Sequence, residues 1–165
     1  MPLFPMFLDL SQATVLVVGD GAEAQRKAEL LKPFCACVLR RSYPPAVSEA
    51  PALVILAERN HPDNEALAAQ FREMHIPVNV CDRPELCDFR FPSLITRGEI
   101  SGGLSTGGGA PVLRGLLREQ LEDALPENLD EIARAAAALT ARLRAEVPDQ
   151  KERARLLREM IEQML

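Results

Sequence analysis

The sequence predicts an α/β protein with a Rossmann-like parallel sheet, followed by a small β/α region and a helical C-terminal region. Short apolar runs alternate with amphipathic helical segments as far as Asp82, which is typical of a parallel sheet covered by helices. A glycine-rich turn joins the first apolar run to the first helix. After Gly115 the 165-residue chain contains no glycine, and its leucine and alanine spacing indicates helices.

The first element is a strand over 13–19, because this β-branched run is bounded by Gly19-Asp20-Gly21. The apolar spacing then predicts a helix over 22–32, which Pro33 ends. A second helix is predicted over 62–74, with Asn60 or His61 near its N-terminal cap. Further strands are predicted over 36–39, 52–57 and 76–81.

Beyond Asp82 the pattern changes to a hairpin joined at Arg97-Gly98, with strands over 89–96 and 99–105. The apolar stripes of the helices that follow require a partner surface, and either the chain's own sheet or a second subunit would serve. These helices are predicted to begin at Pro111, after Asn128, and at a capping box of Asp149 and Glu152, with the last running through Leu165.

Charge and cysteine content exclude several classes of protein. The net charge of −5 argues against a nucleic-acid-binding or anionic-membrane surface. The four cysteines lack the paired spacing of a zinc site, so we expect free thiols in a reducing compartment. The apolar N-terminus lacks the basic region of a signal peptide, and no run is long enough for a membrane helix. We therefore expect a soluble cytoplasmic protein that binds neither nucleic acid nor membrane.

The pattern Gly19-x-Gly21-x-x-Ala24 follows a buried strand and opens a helix, which is the context of a dinucleotide-binding turn. The first glycine allows the turn, the second lets a pyrophosphate approach the backbone, and the small third residue lets the helix pack on the strand. A tight strand-to-helix turn without a ligand is the alternative. The residues predicted to bind the cofactor are Gly19, Asp20, Gly21, Ala22, Ala24, Arg40 and Arg41.

The acidic residue that completes the dinucleotide-binding pattern is absent. NAD-binding folds carry an acidic residue at the end of the second strand, whereas this chain has Arg40, Arg41 and Ser42 in what is predicted to be a loop. An arginine at that position can contact the 2′-phosphate of NADP, so NADP is an alternative to NAD. Two solvated loop arginines would fit the sequence equally well.

Four motifs follow one another along the chain. The first is the N-terminal segment 3–10 with the strand and glycine turn of 15–28. The others are Asn79-Val80-Cys81-Asp82, the Pro92-Ser93 hairpin and the loop Ser105-Thr106-Gly107-Gly108-Gly109 before its helix. In this order they resemble the motifs of the precorrin-2 dehydrogenases, the NAD-dependent module of siroheme synthases. The similarity covers about residues 3–40 and 52–147.

The resemblance implies oxidation of precorrin-2 to sirohydrochlorin with NAD as hydride acceptor, and in some members insertion of ferrous iron to give siroheme. It implies a Rossmann domain over 1–97, a dimerisation region over 98–147 in which two chains interlock, and a truncated helical region over 148–165. The expected assembly is a homodimer. The family's key aspartate corresponds to Asp82, with proton abstraction, chelation or both as its role.

The position of Asp82 is compatible with that role. It follows the fourth predicted strand, at the sheet edge where ligand crevices form. A carboxylate there could accept a proton as hydride leaves, provided that burial raises its pKa. A simple turn formed by Asp82-Arg83-Pro84 is the alternative.

The second glycine cluster precedes a helix and would present backbone N–H groups to substrate carboxylates. The residues predicted to bind substrate are Ser105, Thr106, Gly107, Gly108 and Gly109. A flexible loop at a dimer interface is the alternative. No metal site is predicted, because His61 and His75 form no ligand pair with a cysteine or carboxylate at a recognised spacing.

The chain also departs from the family pattern. The segment 39–52 is too short for the strand and loop that members carry there, and Glu58-Arg59-Asn60 replaces their Thr-Asp. These changes fall at the adenosine pocket. The shortened segment and the missing acidic residue at the end of the second strand favour a second hypothesis, a paralogue that has lost turnover and acts as a tetrapyrrole carrier or assembly protein. A ligand-sensing regulator lacks support, since no DNA-binding helix pair is evident.

Overall fold

The computed structural model describes residues 3–45 and 50–165. These residues fall into two compact units: Met6–Phe91, called the sheet unit below, and Pro92–Leu165 with residues 3–5, called the hairpin unit. The dimerisation role of 98–147 and the domain boundaries at 97 and 147 stay predictions. Part of the short 39–52 segment, residues 46–49, lies outside the described residues.

The sheet unit contains a four-stranded parallel sheet in the order β2-β1-β3-β4, which confirms the predicted fold class. Helix α1 connects the first two strands, and α2 connects the last two. The elements are β1 Leu10–Val18, α1 Ala22–Leu31, β2 Cys35–Arg41, β3 Leu53–Leu56, α2 Asn64–Glu73 and β4 Val78–Val80, followed by a 3₁₀ helix at Pro84–Leu86.

Apolar side chains cover both faces of this sheet, which explains why its strands are continuous hydrophobic runs. Val15 and Val17 of β1 point to one face and pack in a cluster with Ala24 and Ala28 of α1. The alternate residues of β1 point to the other face, where the cluster includes Phe71 of α2. The helices are therefore held on opposite faces, and the strand ends meet along the sheet edge.

Several boundaries differ from the sequence prediction: β1 begins at Leu10, β4 covers only Val78–Val80 and α5 ends at Glu162. Three further differences have a structural explanation. Strand β2 continues to Arg41, because Arg40 and Arg41 pair with Val17 and Val18 of β1 instead of forming a loop. Helix α2 is capped at Asp63, two residues beyond His61. The hairpin strand predicted from residue 89 begins at Ser93, because Phe89 and Phe91 pack on the α1 face of the sheet core.

The hairpin unit contains the antiparallel pair β5 Ser93–Arg97 and β6 Ile100–Leu104. Helices α3 Pro111–Asp123, α4 Leu129–Glu146 and α5 Gln150–Glu162 follow. The Asp149 side chain accepts the Glu152 N–H at 2.8 Å, as predicted for a cap, whereas Asn128 is at the N-cap of α4 without a side-chain bond. Over residues 3–45 and 50–165, no helix combines the length and apolar character needed to cross a bilayer.

Candidate functional site

The four parallel strands end at one edge of the sheet, called the carboxyl edge below. In an open parallel sheet this edge is where ligand crevices form. The segments that emerge there are Gly19-Asp20-Gly21 after β1, Ser42-Tyr43 after β2, Glu58-Arg59 after β3 and Cys81-Asp82 after β4. Most of the predicted cofactor residues and the predicted base therefore come from neighbouring strand ends.

Gly19 adopts a backbone conformation that a side chain would not tolerate. Its φ is +136°, and a Cβ there would lie 3.0 Å from Cγ of Glu58 and 3.3 Å from Cβ of Ala24. Its N–H donates to the carbonyl of Arg41 at 2.8 Å, which fixes the turn to the end of β2. The fully buried Ala24 lets α1 approach β1 as closely as this turn requires.

Gly21 differs, because its φ is ordinary and the space around it is open. It is the N-cap of α1 at φ −76°, and an added Cβ would meet nothing within 4 Å. No side chain caps α1, and Ala22 opens the helix as an exposed residue. Backbone N–H groups at such a helix start are suited to a phosphate. The turn therefore fits the pyrophosphate of a dinucleotide.

The Arg40 side chain lies against this turn, whereas the described contact of Arg41 with the turn is made by its backbone carbonyl. The Arg40 guanidinium donates to the Gln25 side chain, and its Nη2 is 3.5 Å from the carbonyl oxygens of Gly19 and Asp20. Arg41 Nη1 instead donates to the carbonyl of Arg40 at 2.8 Å. Arg40 thus places a positive charge at the mouth of the turn, where an anionic ligand would enter.

Glu58 is a site residue that the sequence reasoning did not select. Its Oε1 accepts the Asp20 N–H at 2.9 Å, and its side chain packs on Gly19. Ser42 holds the other side of the turn, since its hydroxyl donates to the Asp20 carboxylate at 3.0 Å. The available signal was topological: β3 pairs with β1, so the residue after β3 must lie near the residues after β1.

A buried hydrogen-bond chain supports Glu58. The Asn64 amide donates to the Glu58 carbonyl at 2.9 Å, and its own oxygen accepts the Tyr43 hydroxyl at 2.7 Å. Asn64 is 1% exposed, and burial raises the pKa of Tyr43. The Tyr43 ring stacks on His61 with centroids 3.8 Å apart. This chain connects the end of β2 to the start of α2 and fixes the segment after β3 between them.

Asp82 lies at the end of β4 as predicted, although its surroundings are not those expected of a base with a raised pKa. Its side chain is 56% exposed, and its Oδ2 is 2.7 Å from Nε of Arg59. The burial that the sequence reasoning required is therefore absent. Asp82 has a φ of +58°, a conformation that Asp and Asn tolerate better than most residues. An ion pair this exposed contributes little to stability.

The segment after Asp82 is fastened back onto β4. Sγ of Cys87 lies 3.2 Å from both the N and the O of Val80, and burial raises the pKa of this thiol. The Asp88 carboxylate accepts the Val78 N–H at 2.9 Å. These bonds hold the loop that carries Asp82 in a defined position. All four cysteines are free.

The predicted substrate loop belongs to the hairpin unit. Its glycines Gly107 and Gly108 have φ values of +70° and +95°. The Ser105 hydroxyl accepts the Gly107 N–H at 3.3 Å, and the Thr106 hydroxyl donates to the Ala110 carbonyl at 3.3 Å. Both hydroxyls therefore have partners inside the loop. Over the described part of the chain, no group of three or more His, Cys, Asp or Glu side chains could hold a metal ion.

The relatives and the solved structure that this chain resembles agree with one another. The family model "Putative NAD(P)-binding" matches residues 38–93. The siroheme synthase of Thioalkalivibrio sulfidiphilus is 34% identical over 98% of this chain and 38% of its own length. That of Methylococcus capsulatus is 35% identical over 93% of this chain and 37% of its own. The solved structure of SirC, a precorrin-2 dehydrogenase, covers 96% of this chain and 89% of its own, with 20% identity and a TM-score of 0.74.

The lengths of these matches are also informative. The chain spans about a third of the curated relatives, 38% in the case of the Thioalkalivibrio enzyme. The alignment with that enzyme runs over 184 residues, more than the 165 of this chain, so the relative contains residues with no counterpart here. The structural likeness to SirC extends the agreement to the fold of nearly the whole chain.

Proposed function

Since the chain belongs to the family of siroheme synthases and precorrin-2 dehydrogenases, we propose that it oxidises precorrin-2 to sirohydrochlorin with a nicotinamide dinucleotide. The observation that carries the proposal is the placement of a glycine turn and Asp82 at one carboxyl edge. Within the family this makes the chain an oxidoreductase of siroheme or related tetrapyrrole biosynthesis. We further propose that it acts in the cytoplasm.

The dinucleotide would be held by the turn of Gly19, Asp20 and Gly21 with the exposed N-terminus of α1. Ala22 supplies a backbone N–H at that terminus, and Ala24 keeps α1 close enough to β1 for the turn to form. Arg40 supports NADP over NAD, because its guanidinium is at the turn and no acidic residue ends β2. Arg41 would reach a 2′-phosphate only after leaving the Arg40 carbonyl. The cofactor supplies the hydride acceptor.

Asp82 would take the proton that leaves as the hydride is transferred. Its carboxylate projects from a fixed loop and is paired only with the exposed Arg59 among its described contacts. Precorrin-2 carries several carboxylates, and one of them could form the ion pair with Arg59 in place of Asp82. This exchange would free the Asp82 oxygens to accept a proton.

The hairpin unit supplies the proposed substrate loop and the proposed dimer surface. Gly107, Gly108 and Gly109 would bind substrate carboxylates through backbone N–H groups, with Ser105 and Thr106 turning their hydroxyls outward. A homodimer would cover apolar side chains of α3 that are exposed in the single chain, Val112, Leu113, Leu116 and Leu121.

The test is an anaerobic assay with purified protein and precorrin-2, with NADP and NAD in parallel and sirohydrochlorin followed by absorbance. We expect turnover with a preference for NADP. Asp82→Asn should lower the rate by roughly 10²-fold to 10⁴-fold, the usual contribution of a general base. Asparagine tolerates the positive φ of Asp82, so this variant should fold. Asp88→Asn is the matched control, because it changes a carboxylate that fastens the same loop to β4 and so measures how much rate is lost through the loop alone.

Absence of cofactor-dependent turnover in the wild-type protein would refute the dehydrogenase proposal. An unimpaired Asp82→Asn would refute only the assignment of the base. Tighter or equal binding of NAD in calorimetry would refute the NADP preference. Chelation is tested separately, by adding ferrous or cobaltous ion to sirohydrochlorin and following metal insertion.

One observation favours a second function, a tetrapyrrole carrier or assembly protein without turnover. The Asp82 carboxylate is exposed and paired with Arg59, whereas a general base is expected to be buried. Residues present in relatives are also missing from this chain. A carrier would bind sirohydrochlorin with equal affinity with and without dinucleotide, which the same calorimetric titrations measure.

A further inference from the structure

Glu58 places a negative charge in the glycine turn that is proposed to hold the cofactor. Its Oε1 accepts the Asp20 N–H at 2.9 Å, and its Cγ packs where a side chain on Gly19 would be. The Asp20 N–H is one of the backbone donors of the turn between β1 and α1. In a dinucleotide-binding turn such donors face the pyrophosphate. Glu58 therefore uses a group that a pyrophosphate would need.

This arrangement is not a chance contact of a mobile surface side chain. Glu58 is half-buried, and its backbone carbonyl is held by the amide of Asn64 at 2.9 Å. Asn64 is in turn held by the Tyr43 hydroxyl at 2.7 Å. The residue is thus anchored on its backbone, while its carboxylate reaches the turn through a side chain that can rotate away.

The Glu58 carboxylate and a bound pyrophosphate would compete for the same turn, because both are negatively charged. The N-terminus of α1 attracts negative charge, and the Glu58 carboxylate meets that attraction in the absence of ligand. A pyrophosphate at the same donors would stand close to the negative charge of Glu58, and at such short range the two charges repel each other. The two can occupy the turn together only at a cost, so ligand entry favours rotation of Glu58 out of the turn.

We propose that Glu58 is an internal anion that occupies the phosphate cradle and must be displaced by any ligand carrying a pyrophosphate. The inference rests on the proposed cofactor site and deepens it. Glu58 lowers the affinity for dinucleotides of either type, while Arg40 at the mouth of the turn acts on the 2′-phosphate. It is a residue that sets affinity, because it weakens pyrophosphate binding without contacting the reacting atoms.

The experiment is calorimetric titration of the full chain with NADPH, NADH and inorganic pyrophosphate. Glu58→Ala removes both the charge and the hydrogen bond, and we expect all three ligands to bind about tenfold more tightly, the effect of one charge-assisted bond. Glu58→Gln removes the charge and keeps an acceptor, so its gain should be smaller. Glu73→Ala, an exposed glutamate at the other end of α2, controls for the change in net charge and should leave affinity unchanged.

Each outcome decides the inference. Weaker binding in Glu58→Ala would overturn it, because Glu58 would then contact the ligand directly. Unchanged affinity, or no binding by any variant, would overturn it as well. Tighter binding without turnover would keep the inference and refute the proposed oxidation. Turnover with equal affinities across the variants would refute the inference and leave the proposed oxidation in place.

Discussion

The two glycine clusters of this chain precede helices, yet they are built differently. The first, Gly19 to Gly21, is held by groups distant in sequence: the Arg41 carbonyl, the Glu58 carboxylate and the Arg40 guanidinium. In the second, Gly107 to Gly109, the hydroxyls of Ser105 and Thr106 bond to neighbours inside the loop. One turn is fixed by the tertiary fold, and the other is shaped at least partly by its local sequence.

This difference has a functional consequence. A turn that three strand ends fix can present its backbone N–H groups in a defined geometry, as a cofactor site requires. A loop shaped by its own hydroxyls can change conformation without disturbing the sheet. Substitution of Gly19 should therefore cost more global stability than substitution of a positive-φ glycine in the second cluster.

The largest expected effect compares alanine at one positive-φ glycine from each cluster. Gly19→Ala should lower the free energy of unfolding by about 3 kcal/mol, from backbone strain plus the approach of its Cβ to Glu58 and Ala24. Gly107→Ala should cost about 1 kcal/mol, because its φ is +70° but its Cβ meets open space. Urea denaturation of both variants measures the difference. Equal losses would contradict the contrast between the clusters.

The next largest effect concerns the hydrogen-bond chain of Tyr43, Asn64 and Glu58, which supports the first cluster. Asn64→Ala should cost about 2 kcal/mol, because it removes the two part-buried bonds that the buried Asn64 side chain makes with the Tyr43 hydroxyl and the Glu58 carbonyl. Tyr43→Phe should cost about 1 kcal/mol, since the bond from the hydroxyl to Asn64 is lost but the ring keeps its stacking on His61. Thermal and urea unfolding provide the measurement, and a Tyr43→Phe loss larger than that of Asn64→Ala would be inconsistent with this chain.

Substitution of Gly21 should change the affinity for the cofactor without changing the stability of the fold. Its Cβ would meet no protein atom within 4 Å, so Gly21→Ala should leave the free energy of unfolding almost unchanged. The added methyl group would stand in the open space where the pyrophosphate is proposed to approach, and we expect NADPH to bind about tenfold more weakly. Calorimetry and denaturation are run on the same preparation. Unchanged affinity would mean that the ligand does not approach the backbone at Gly21.

Sequence patterns were sufficient for the parallel sheet, the helices and the hairpin, because each depends on local periodicity and on glycine and proline positions. They were also sufficient for the position of Gly19, Gly21 and Asp82 at strand ends. They failed for Glu58, whose role depends on β3 pairing beside β1. That pairing connects residues 38 positions apart and leaves no local trace in the sequence.

The surroundings of Asp82 could not be predicted for a related reason. Its position follows from the end of β4, but its exposure depends on what covers the carboxyl edge. Its partner Arg59 comes from the end of another strand, and no spacing rule connects the two. The same holds for Arg40, which was expected in a loop and instead extends β2 because its backbone pairs with Val17.

The smallest expected effect concerns Lys27, a tertiary contact of the helix that follows the first cluster. The residue is 8% exposed, and its Nζ lies 3.8 Å from the centroid of the Phe91 ring and 4.0 Å from the Glu23 carboxylate. Burial lowers its pKa below the ordinary value of 10.5. Between the lowered folded pKa and 10.5, the unfolded chain binds the proton more tightly than the folded chain does.

Stability therefore rises with pH across that window, because the cost of burying the charged amine disappears as the amine becomes neutral. Lys27→Met keeps the apolar stem and removes the titration, so the wild-type protein should gain stability relative to this variant as pH approaches 10.5. The slope cannot exceed about 1.4 kcal/mol per pH unit for one proton. Urea denaturation at a series of alkaline pH values measures it. Parallel curves for the two proteins would show that the Lys27 amine is as well solvated in the folded chain as in the unfolded one.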